Sequence, residues 1–389
     1  MVSGRSDANT GRIRLGMVGG GQGAFIGAVH RLAARMDDQY EFVAGALSAD
    51  PRKARASGKE LGLARDRIYG SFAEMAVAEA KREDGIEAVA IVTPNHVHFP
   101  AAKAFIEAGI HVICDKPVTL TLKEAVALKK LLAKHRRVVF ALTHNYSGYP
   151  MIRQAKAMVA AGELGDIRLV QGEYPQDWLT TALEKTGQKQ ADWRTDPKRS
   201  GAGGCVGDIG THTYQLMCDV SGLAARELSA DLTSFVQGRR LDDNAHVMLR
   251  FKGGARGMLW ASQVAPGNEN GLKLRVYGTK GGLEWTQADP NYLWYTPFGE
   301  AKRLITRGGA GSGAAAGRVT RVPPGHPEGY LEGFANIYAE VARAIKAKRA
   351  RKRPDKDVAF PGIADGVAGM AFIEACVKSS VKNGRWTKV

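Results

Sequence analysis

Residues 13–24 read Ile-Arg-Leu-Gly-Met-Val-Gly-Gly-Gly-Gln-Gly-Ala, and this stretch decides the fold. Its apolar first half predicts a short strand, and the spacing of apolar residues from Phe25 to Met36 predicts a helix. In Gly19-x-Gly21-x-x-Ala24 the first glycine allows a tight turn and the second lets backbone approach a pyrophosphate. The small third residue lets helix and strand pack closely. This order predicts a dinucleotide-binding βαβ unit.

The alternation of strand and helix continues to residue 148, which predicts an α/β fold with a doubly wound parallel sheet, a Rossmann domain. The further strands and helices of this half are expected at Phe42 to Leu47, Pro51 to Leu61, Met75 to Arg82, Ala88 to Val92, Phe99 to Ala108, His111 to Cys114, Leu122 to His135 and Val138 to Leu142.

In residues 149–389 the strand candidates are joined by turns, so this half is expected to be an α+β domain with a largely antiparallel sheet. These candidates are Ile167 to Glu173, Ala245 to Phe251, Gly257 to Gln263 and Lys273 to Gly278. The Gly/Ala/Ser-rich stretch 307–318 predicts a mobile surface loop.

Composition excludes several classes of protein. The 389 residues are 44% hydrophobic and 24% charged, values typical of a folded globular protein with two domains. No apolar run approaches the roughly 18 residues of a membrane span, and the polar N-terminus resembles no signal peptide, so we expect a cytoplasmic protein without a membrane partner. The net charge of +16 is concentrated at residues 343–356, which favours a solvated helix end over a nucleic-acid site. Four scattered cysteines predict no disulfide framework.

The end of the second predicted strand leaves the choice between NAD and NADP open. Ser48 stands where a carboxylate would bind the adenosine ribose of NAD. This hydroxyl, followed by Arg52 and Lys53, suits a 2′-phosphate, yet Asp50 is close enough in sequence to reach the ribose hydroxyls.

Three further segments accompany this turn: Thr93-Pro94-Asn95-His96-Val97-His98, Cys114-Asp115-Lys116-Pro117, and Gly203-Gly204-Cys205-Val206-Gly207-Asp208-Ile209-Gly210-Thr211-His212. Over nearly the whole chain this arrangement resembles the glucose-fructose oxidoreductase / inositol dehydrogenase / rhizopine-catabolism (Gfo/Idh/MocA) family. The first segment looks like the family's loop bordering the cofactor, the second like its Glu-Lys-Pro motif with Asp115 in place of Glu, and the third like its Gly-Gly…Asp-x-Gly-x-His segment. The resemblance implies an open, mostly antiparallel sheet in the second domain and a homodimer or homotetramer.

Oxidation of a secondary alcohol needs a base for the hydroxyl proton and a hydride acceptor facing the carbinol carbon. His212 has the pKa range of such a base, and Asp208 lies one helical turn earlier if the segment is helical. Lys116 follows a strand's carboxyl end, where its ammonium is suited to bind the substrate oxygen. The resemblance implies that these three residues form the catalytic set, in a cleft between the domains.

The remaining expected contacts fall into two groups. Cofactor contacts are expected at Gly19, Gly21, Gln22, Ala24, Phe25, Ile26, Ser48, Arg52, Lys53, Thr93, Pro94, Asn95, His98, Asp115, Lys116 and Asn145. Aromatic faces beside amides and charges suit a sugar ring, so substrate contacts are expected at Lys116, Tyr146, Arg153, Gln176, Trp178, Trp193, Arg194, Asp208, His212 and His326. The alternative for the aromatic residues is packing at a sheet edge or subunit interface. No metal site is expected, because Asp208 and His212 lack a third ligand.

Three functions remain open. The first is an NAD(P)-dependent dehydrogenase acting on a secondary hydroxyl of a sugar, glycoside or cyclitol. The second is a redox glycosidase, in which transient ring oxidation permits elimination of the aglycone, with Tyr146, Asp177 or His326 as the extra acid or base. The third is a non-enzymatic dinucleotide-sensing protein, because a Rossmann fold alone does not imply turnover.

Overall fold

The computed structural model describes residues 11–389, which form two compact units. The first unit contains the chain up to Thr119, Lys123–Asn145 and Tyr330–Val367. The second contains Leu120–Leu122, Tyr146–Gly329 and Ala368–Val389. The units therefore interleave along the sequence.

The first unit is built on a five-stranded, wholly parallel sheet with the strand order β2-β1-β3-β4-β5. Its elements up to residue 142 are β1 (Ile13–Gly19), α1 (Phe25–Met36), β2 (Tyr40–Ala46), α2 (Pro51–Glu60), a 3₁₀ turn (Arg65–Arg67), α3 (Phe72–Lys81), β3 (Ala88–Val92), α4 (Asn95–Glu107), β4 (His111–Cys114), α5 (Leu122–Lys134) and β5 (Phe140–Leu142). Strand β3 is buried along its whole length, as expected for a parallel sheet covered on both faces. The predicted Rossmann-type fold is confirmed.

The second unit contains a nine-stranded sheet with the order β13-β12-β11-β10-β6-β9-β8-β7-β14. Only β6 and β9 pair in parallel, so the predicted mostly antiparallel sheet is also confirmed. The remaining elements are a 3₁₀ turn (Asn145–Gly148), α6 (Pro150–Ala160), β6 (Ile167–Pro175), a 3₁₀ turn (Leu183–Lys185), α7 (Lys189–Arg194), α8 (Pro197–Ser200), a π-helix (Val206–Gly210), α9 (Thr211–Ser221), β7 (Ala225–Thr233), β8 (Asn244–Phe251), β9 (Arg256–Ser262), β10 (Lys273–Gly278), β11 (Gly281–Thr286), β12 (Tyr292–Pro297), β13 (Arg303–Thr306), α10 (Ala314–Gly317), α11 (Tyr330–Arg349), α12 (Ile363–Val381) and β14 (Thr387–Lys388).

Helix α11 belongs to the first unit, although the sequence boundary at residue 148 grouped it with the second half. Its apolar residues, including Ile337 and Val341, are buried in the same core as β1. The Tyr338 hydroxyl lies 2.9 Å from Nδ1 of His30 on α1, and the Tyr40 hydroxyl donates to the Tyr338 carbonyl at 2.8 Å. Helix α11 is part of the first unit because its apolar residues pack on α1 and β2.

The segment 307–318 is more ordered in structure than the expected mobile loop. It contains α10, whose Ala316 is fully buried, and the Gly313 amide donates to the Gln154 side chain on α6 at 2.7 Å. Arg307 is also buried, in an ion pair with Glu328. The small residues therefore serve close packing against α6. Among residues 11–389, no helix has both the length and the apolar character needed to cross a bilayer.

Close packing of α1 onto the glycine turn depends on Gly27. A Cβ at Gly27 would lie 2.4 Å from the Gly20 Cα and 2.5 Å from its carbonyl oxygen, so only hydrogen fits there. We expected Ala24 to supply this contact, but Ala24 is the N-cap of α1, with extended backbone angles. The close approach comes one turn later because the helix begins at Phe25.

Replacing Gly27 with alanine should therefore destabilise the first unit. The added methyl meets backbone, which cannot rotate away, and overpacking of this kind costs about 1 to 3 kcal/mol. Alanine's better helix propensity offsets at most about 1 kcal/mol of this cost. Denaturant unfolding should show a lower free energy of unfolding for Gly27→Ala. Gly317→Ala, whose methyl meets nothing within 4 Å, is the control. Equal stability of Gly27→Ala and wild type would contradict the assigned contact.

Candidate active site

The glycine turn in the first unit is packed closely against the end of β2 and against α2. A Cβ at Gly21 would lie 2.7 Å from both the Leu47 carbonyl oxygen and the Ser57 Oγ. The Gly21 amide donates to that carbonyl at 3.2 Å, and the Gln22 amide donates to Ser57 at 3.0 Å. The turn is thereby fixed against β2 and α2.

Two buried polar atoms at the carboxyl edge of this sheet have no hydrogen-bond partner among the described residues. They are Oγ1 of Thr93, just after β3, and Nδ2 of Asn145, three residues after β5. Unpaired buried polar groups are costly, and such groups in a cleft indicate a missing polar ligand. Both atoms follow strands of the sheet whose glycine turn closes β1, and they fit the polar groups of a dinucleotide.

At the end of β2 the carboxylate of Asp50 caps helix α2. It accepts hydrogen bonds from the amides of Arg52 and Lys53 at 2.8 and 3.3 Å. The Ser48 hydroxyl accepts from the Asp50 amide at 3.2 Å. The Arg52 and Lys53 side chains make no such contact within residues 11–389, so both remain available to a phosphate. Of the expected contacts at the start of α1, Phe25 is 67% exposed and Ile26 packs against the core.

Asp115 organises the turn that carries Lys116. Its Oδ1 accepts hydrogen bonds from the Lys116 amide at 2.9 Å and from the Thr143 hydroxyl at 3.0 Å. Burial, reinforced by the positive charge of Lys116, lowers the pKa of His144 to about 3, so this imidazole is neutral. Lys116 therefore sits half-buried at the end of β4, in a turn fixed by a carboxylate.

The segment Thr93–His98 consists of a short turn at Thr93 and Pro94 followed by the start of α4. Pro94 is the N-cap of α4 and Asn95 begins it, buried from solvent. His98 is completely buried, with Nε2 2.9 Å from the Thr93 carbonyl oxygen and Nδ1 2.7 Å from the Pro117 carbonyl oxygen. Its imidazole therefore faces a backbone carbonyl on each side.

In the second unit, Asp208 and His212 lie on one continuous helical segment, so the condition for their one-turn spacing is met. Asp208 is in the π-helix and His212 is in the first turn of α9. Single π-turns inside α-helices often occur at functional sites. The segment is held at its start by Asp242, whose carboxylate accepts from the amides of Gly204 and Val206 at 2.6 and 2.8 Å.

The carboxylate of Asp208 has two further partners. Nε2 of Gln263 donates to its Oδ2 at 2.9 Å, and Nε of Arg194 lies 3.2 Å from the same oxygen in an ion pair. The Arg194 guanidinium stacks on Trp193 at 4.3 Å and lies 6.0 Å from the Trp178 ring. Arg194 therefore connects the Asp208 carboxylate to the Trp193 ring and helps to fix the position of that carboxylate.

A second series of contacts connects His212 with Trp178. The Tyr146 ring stands edge-on to the imidazole, with centroids 5.0 Å apart, and its hydroxyl hydrogen-bonds that of Tyr174. Burial raises the pKa of Tyr146, and hydrogen bonds to Tyr174 and Asn270 oppose this effect. Asn270 accepts from Gln176 at 2.8 Å, and Gln176 accepts from the indole of Trp178 at 3.1 Å.

These contacts bring seven of the predicted substrate residues together in one polar and aromatic cluster: Tyr146, Gln176, Trp178, Trp193, Arg194, Asp208 and His212. Two other predicted residues have structural contacts. Arg153 donates to the Ser147 carbonyl at 2.9 Å and so braces the turn beside Tyr146. His326 is exposed, and its carbonyl accepts from buried Arg307.

Family comparisons agree with both halves of this description. Residues 13–143 match the model described as an oxidoreductase family with an NAD-binding Rossmann fold, and residues 152–284 match the GFO/IDH/MocA C-terminal domain. The chain belongs to the Gfo/Idh/MocA family of oxidoreductases.

Three relatives of this Gfo/Idh/MocA protein match along almost its whole length. The uncharacterized oxidoreductase YfiI of Bacillus subtilis is 36% identical over 97% of this chain and 96% of its own. A crystal structure of an oxidoreductase from Sinorhizobium meliloti is 62% identical, with a TM-score of 0.88, covering 97% and 100% of the two chains. An inositol dehydrogenase homolog from Azotobacter vinelandii, complexed with NADH and myo-inositol, is 36% identical, with a TM-score of 0.90 and 98% coverage of both.

Sequence reasoning missed three residues of this Gfo/Idh/MocA cluster. Gln263 and Asn270 are isolated amides after β9, and Asp242 precedes β8. Their contacts with Asp208, Gln176 and Val206 join residues that lie 55, 94 and 36 positions apart in sequence. No short motif contains them, so only the folded sheet reveals their contacts. The one available signal was the tandem Asp242-Asp243 before an apolar strand.

The ionisation of Asp242 gives a test of its position. Burial raises the pKa of Asp242 to about 6, while the Val206 and Gly204 amides oppose this shift. The folded protein therefore binds the Asp242 carboxyl proton more tightly than the unfolded chain does, because the pKa of this carboxyl in the unfolded chain is near 3.8. Stability from this group is present at low pH and is lost as pH rises through about 6.

Wild type should consequently gain stability on acidification relative to Asp242→Asn, whose amide does not titrate. Between about pH 7.5 and about pH 5 the difference in free energy of unfolding should change by about 1 kcal/mol in favour of wild type. Urea unfolding of both proteins at the two pH values measures it. Parallel pH dependence of the two proteins would show that Asp242 is not buried as described.

Proposed function

We propose that this protein is an NAD(P)-dependent dehydrogenase that oxidises a secondary hydroxyl of a sugar, glycoside or cyclitol. One observation carries the proposal: Asp208, His212 and Tyr146 lie in one cluster surrounded by amides and indoles. A carboxylate, an imidazole and a phenol supply acid–base chemistry, and the amides and indoles suit a polyhydroxylated ring. The myo-inositol complex of the Azotobacter vinelandii relative supports this substrate class.

In the proposed reaction His212 accepts the hydroxyl proton while the carbinol C–H bond breaks and a carbonyl forms. Bound NAD supplies the acceptor for the hydride. Asp208 stabilises the imidazolium that results, because its carboxylate is held by Gln263 and Arg194 near the same helical turn. We assign Lys116 to donate a hydrogen bond to the substrate oxygen, where negative charge develops as the proton leaves.

The ring of the substrate has recognisable partners in the same cluster. The indoles of Trp178 and Trp193 offer apolar faces, and the amide of Gln176 offers both a donor and an acceptor to hydroxyl groups. Each of these side chains is already oriented by a neighbour, as the hydrogen bond from Trp178 to Gln176 shows. Preorganised partners of this kind reduce the entropy lost on binding.

Turnover is tested with purified protein, NAD or NADP, and a panel of inositols, aldoses and alkyl glycosides. Absorbance at 340 nm should rise with one class of polyol. Removing the base or the oxygen-binding ammonium should lower kcat by about 10²- to 10⁴-fold in His212→Asn and Lys116→Met. His135→Asn and Lys129→Met change the same residue types outside the cluster and should leave kcat within about 2-fold.

Undiminished turnover in His212→Asn would exclude the proposed base. Cleavage of an aryl glycoside with no net change at 340 nm would replace the proposal with the redox glycosidase. Both nucleotides are compared by shift in melting temperature, since a cofactor at 100 times its Kd stabilises by about 2.7 kcal/mol. A larger shift with NADP would assign Arg52 and Lys53 to a 2′-phosphate.

We further propose that the protein is a homodimer or homotetramer assembled through the open face of the nine-stranded sheet. Met248 and Met258 are cross-strand partners there, each 54% exposed, and Leu169 on β6 is 47% exposed beside them. The Trp260 and His246 rings stack on the same face. Monomeric proteins seldom expose contiguous apolar patches, and a flat face of this kind suits a self-complementary interface.

The double variant Met248→Lys/Met258→Lys should weaken this assembly. It places like charges opposite one another across a two-fold axis and removes apolar area from the interface. Sedimentation velocity should show a shift toward the monomer at concentrations where wild type is assembled. Phe298→Lys, at an 86% exposed position in a turn, is the matched control and should sediment like wild type. A monomeric wild type would overturn the proposal.

A further inference from the structure

His98 occupies an unusual position between two backbone turns of the first unit. Nε2 lies 2.9 Å from the carbonyl oxygen of Thr93, and Nδ1 lies 2.7 Å from the carbonyl oxygen of Pro117. The side chain has no exposed surface. Both contacts have hydrogen-bond length, and both acceptors are backbone atoms that belong to segments with expected cofactor or catalytic residues.

We propose that His98 is a positioning residue that ties the turn of Thr93 to the turn of Lys116 and Pro117, so that cofactor and substrate oxygen are presented in register. The inference rests on the proposed function only for its effect on turnover. The tie itself is a property of the folded protein without ligands.

The chemistry of the imidazole shows how the tie works. A carbonyl oxygen accepts hydrogen bonds and cannot donate, so each of the two contacts needs an N–H on the ring. Neutral imidazole has one N–H and holds one carbonyl. Imidazolium has two and holds both. The strength of the tie therefore depends on how many N–H groups the residue at position 98 presents.

The charges around His98 act in opposite directions. Burial lowers the pKa of His98 below its ordinary value, so the ring is neutral near pH 7, donates one hydrogen bond and meets the second carbonyl by close packing alone. The carboxylate of Asp115, from the turn after β4, and the two carbonyls oppose this effect, and the ammonium of Lys116 adds to it. Asp115 also accepts from the Lys116 amide, so it holds the same turn from the other side.

A structural consequence follows for the flanking residues. Thr93 carries one of the two unpaired buried hydroxyl and amide groups that fit the dinucleotide, and Lys116 is the group assigned to the substrate oxygen. Displacing a reacting group by about 1 Å can lower a rate by about 100-fold. A single buried side chain that contacts both turns is in a position to prevent such a displacement.

Three variants distinguish hydrogen bonding by His98 from a role in which its ring only fills the space between the two turns. His98→Phe keeps an aromatic ring and presents no N–H. His98→Gln presents two N–H groups on one nitrogen and should restore part of the tie. His30→Phe is the matched control, because His30 is also fully buried in the first unit but contacts only Tyr338 through its ring nitrogen.

The first readout needs no turnover. Fluorescence titration with NADH should give a Kd raised about 10-fold in His98→Phe, less in His98→Gln, and unchanged in His30→Phe. Long-range ¹H–¹⁵N spectra of wild type should show at least one slowly exchanging ring proton on His98. Rapid exchange of every ring proton with solvent, or equal NADH affinity in all three variants, would overturn the proposal.

The second readout measures the effects of the variants on kcat and on KM separately. In His98→Phe, kcat should fall about 10- to 100-fold while the KM for the polyol changes less than about 3-fold, because the ring-binding residues lie in the second unit. His98→Gln should recover part of kcat. Equal losses of kcat in His98→Phe and His30→Phe would show a general loss of stability and overturn the positioning role. If wild type oxidises no polyol, the NADH and NMR measurements still decide the tie.

Discussion

The contact of Gly20 with Gly27 is the constraint on which the first unit depends. Backbone lies on backbone there, with no side chain between them, and this seats the start of α1 directly over the glycine turn. The helix then presents His30 to Tyr338, so the position of α11 is set by the same contact. Because Gly20 and Gly27 have no side chains, α1 can pack directly on the glycine turn. Helix α11, which begins at Tyr330, packs on α1 in this position.

The second unit relies on a comparable device made from polar groups. Asp242 holds the start of the helical segment and the neighbouring Asp243 accepts from the amides of Phe235 and Val236, so adjacent carboxylates fix two different loops. Arg239 pairs with both Asp243 and Glu184, so its guanidinium offsets part of the negative charge at the second of these anchors. The catalytic candidates consequently lie on a helix whose start cannot shift without breaking a buried hydrogen-bond network.

The sequence was most informative where local pattern and tertiary structure coincide. The strands at Ala88–Val92 and His111–Cys114 and helix α1 were predicted with their observed bounds, because each is an uninterrupted apolar or amphipathic run. Most of the substrate cluster was also named, since indoles beside amides are visible in the chain. Other features depend on packing that no local pattern shows. The close approach of α1 to the glycine turn occurs at Gly27 and not at Ala24, and the His98 imidazole lies between two backbone carbonyls.

The return of the chain to the first unit has a consequence for its synthesis. The apolar stripe of α1 is complete when about 40 residues have been made, but the helix that covers it begins at Tyr330. At 5 to 20 residues per second the ribosome needs roughly 15 to 60 seconds to supply that cover. During this interval the apolar residues of α1 and of the strands that pack on α11 lack their cover. The final folding step of the amino-terminal unit is thus timed by the translation of the carboxyl-terminal quarter of the chain.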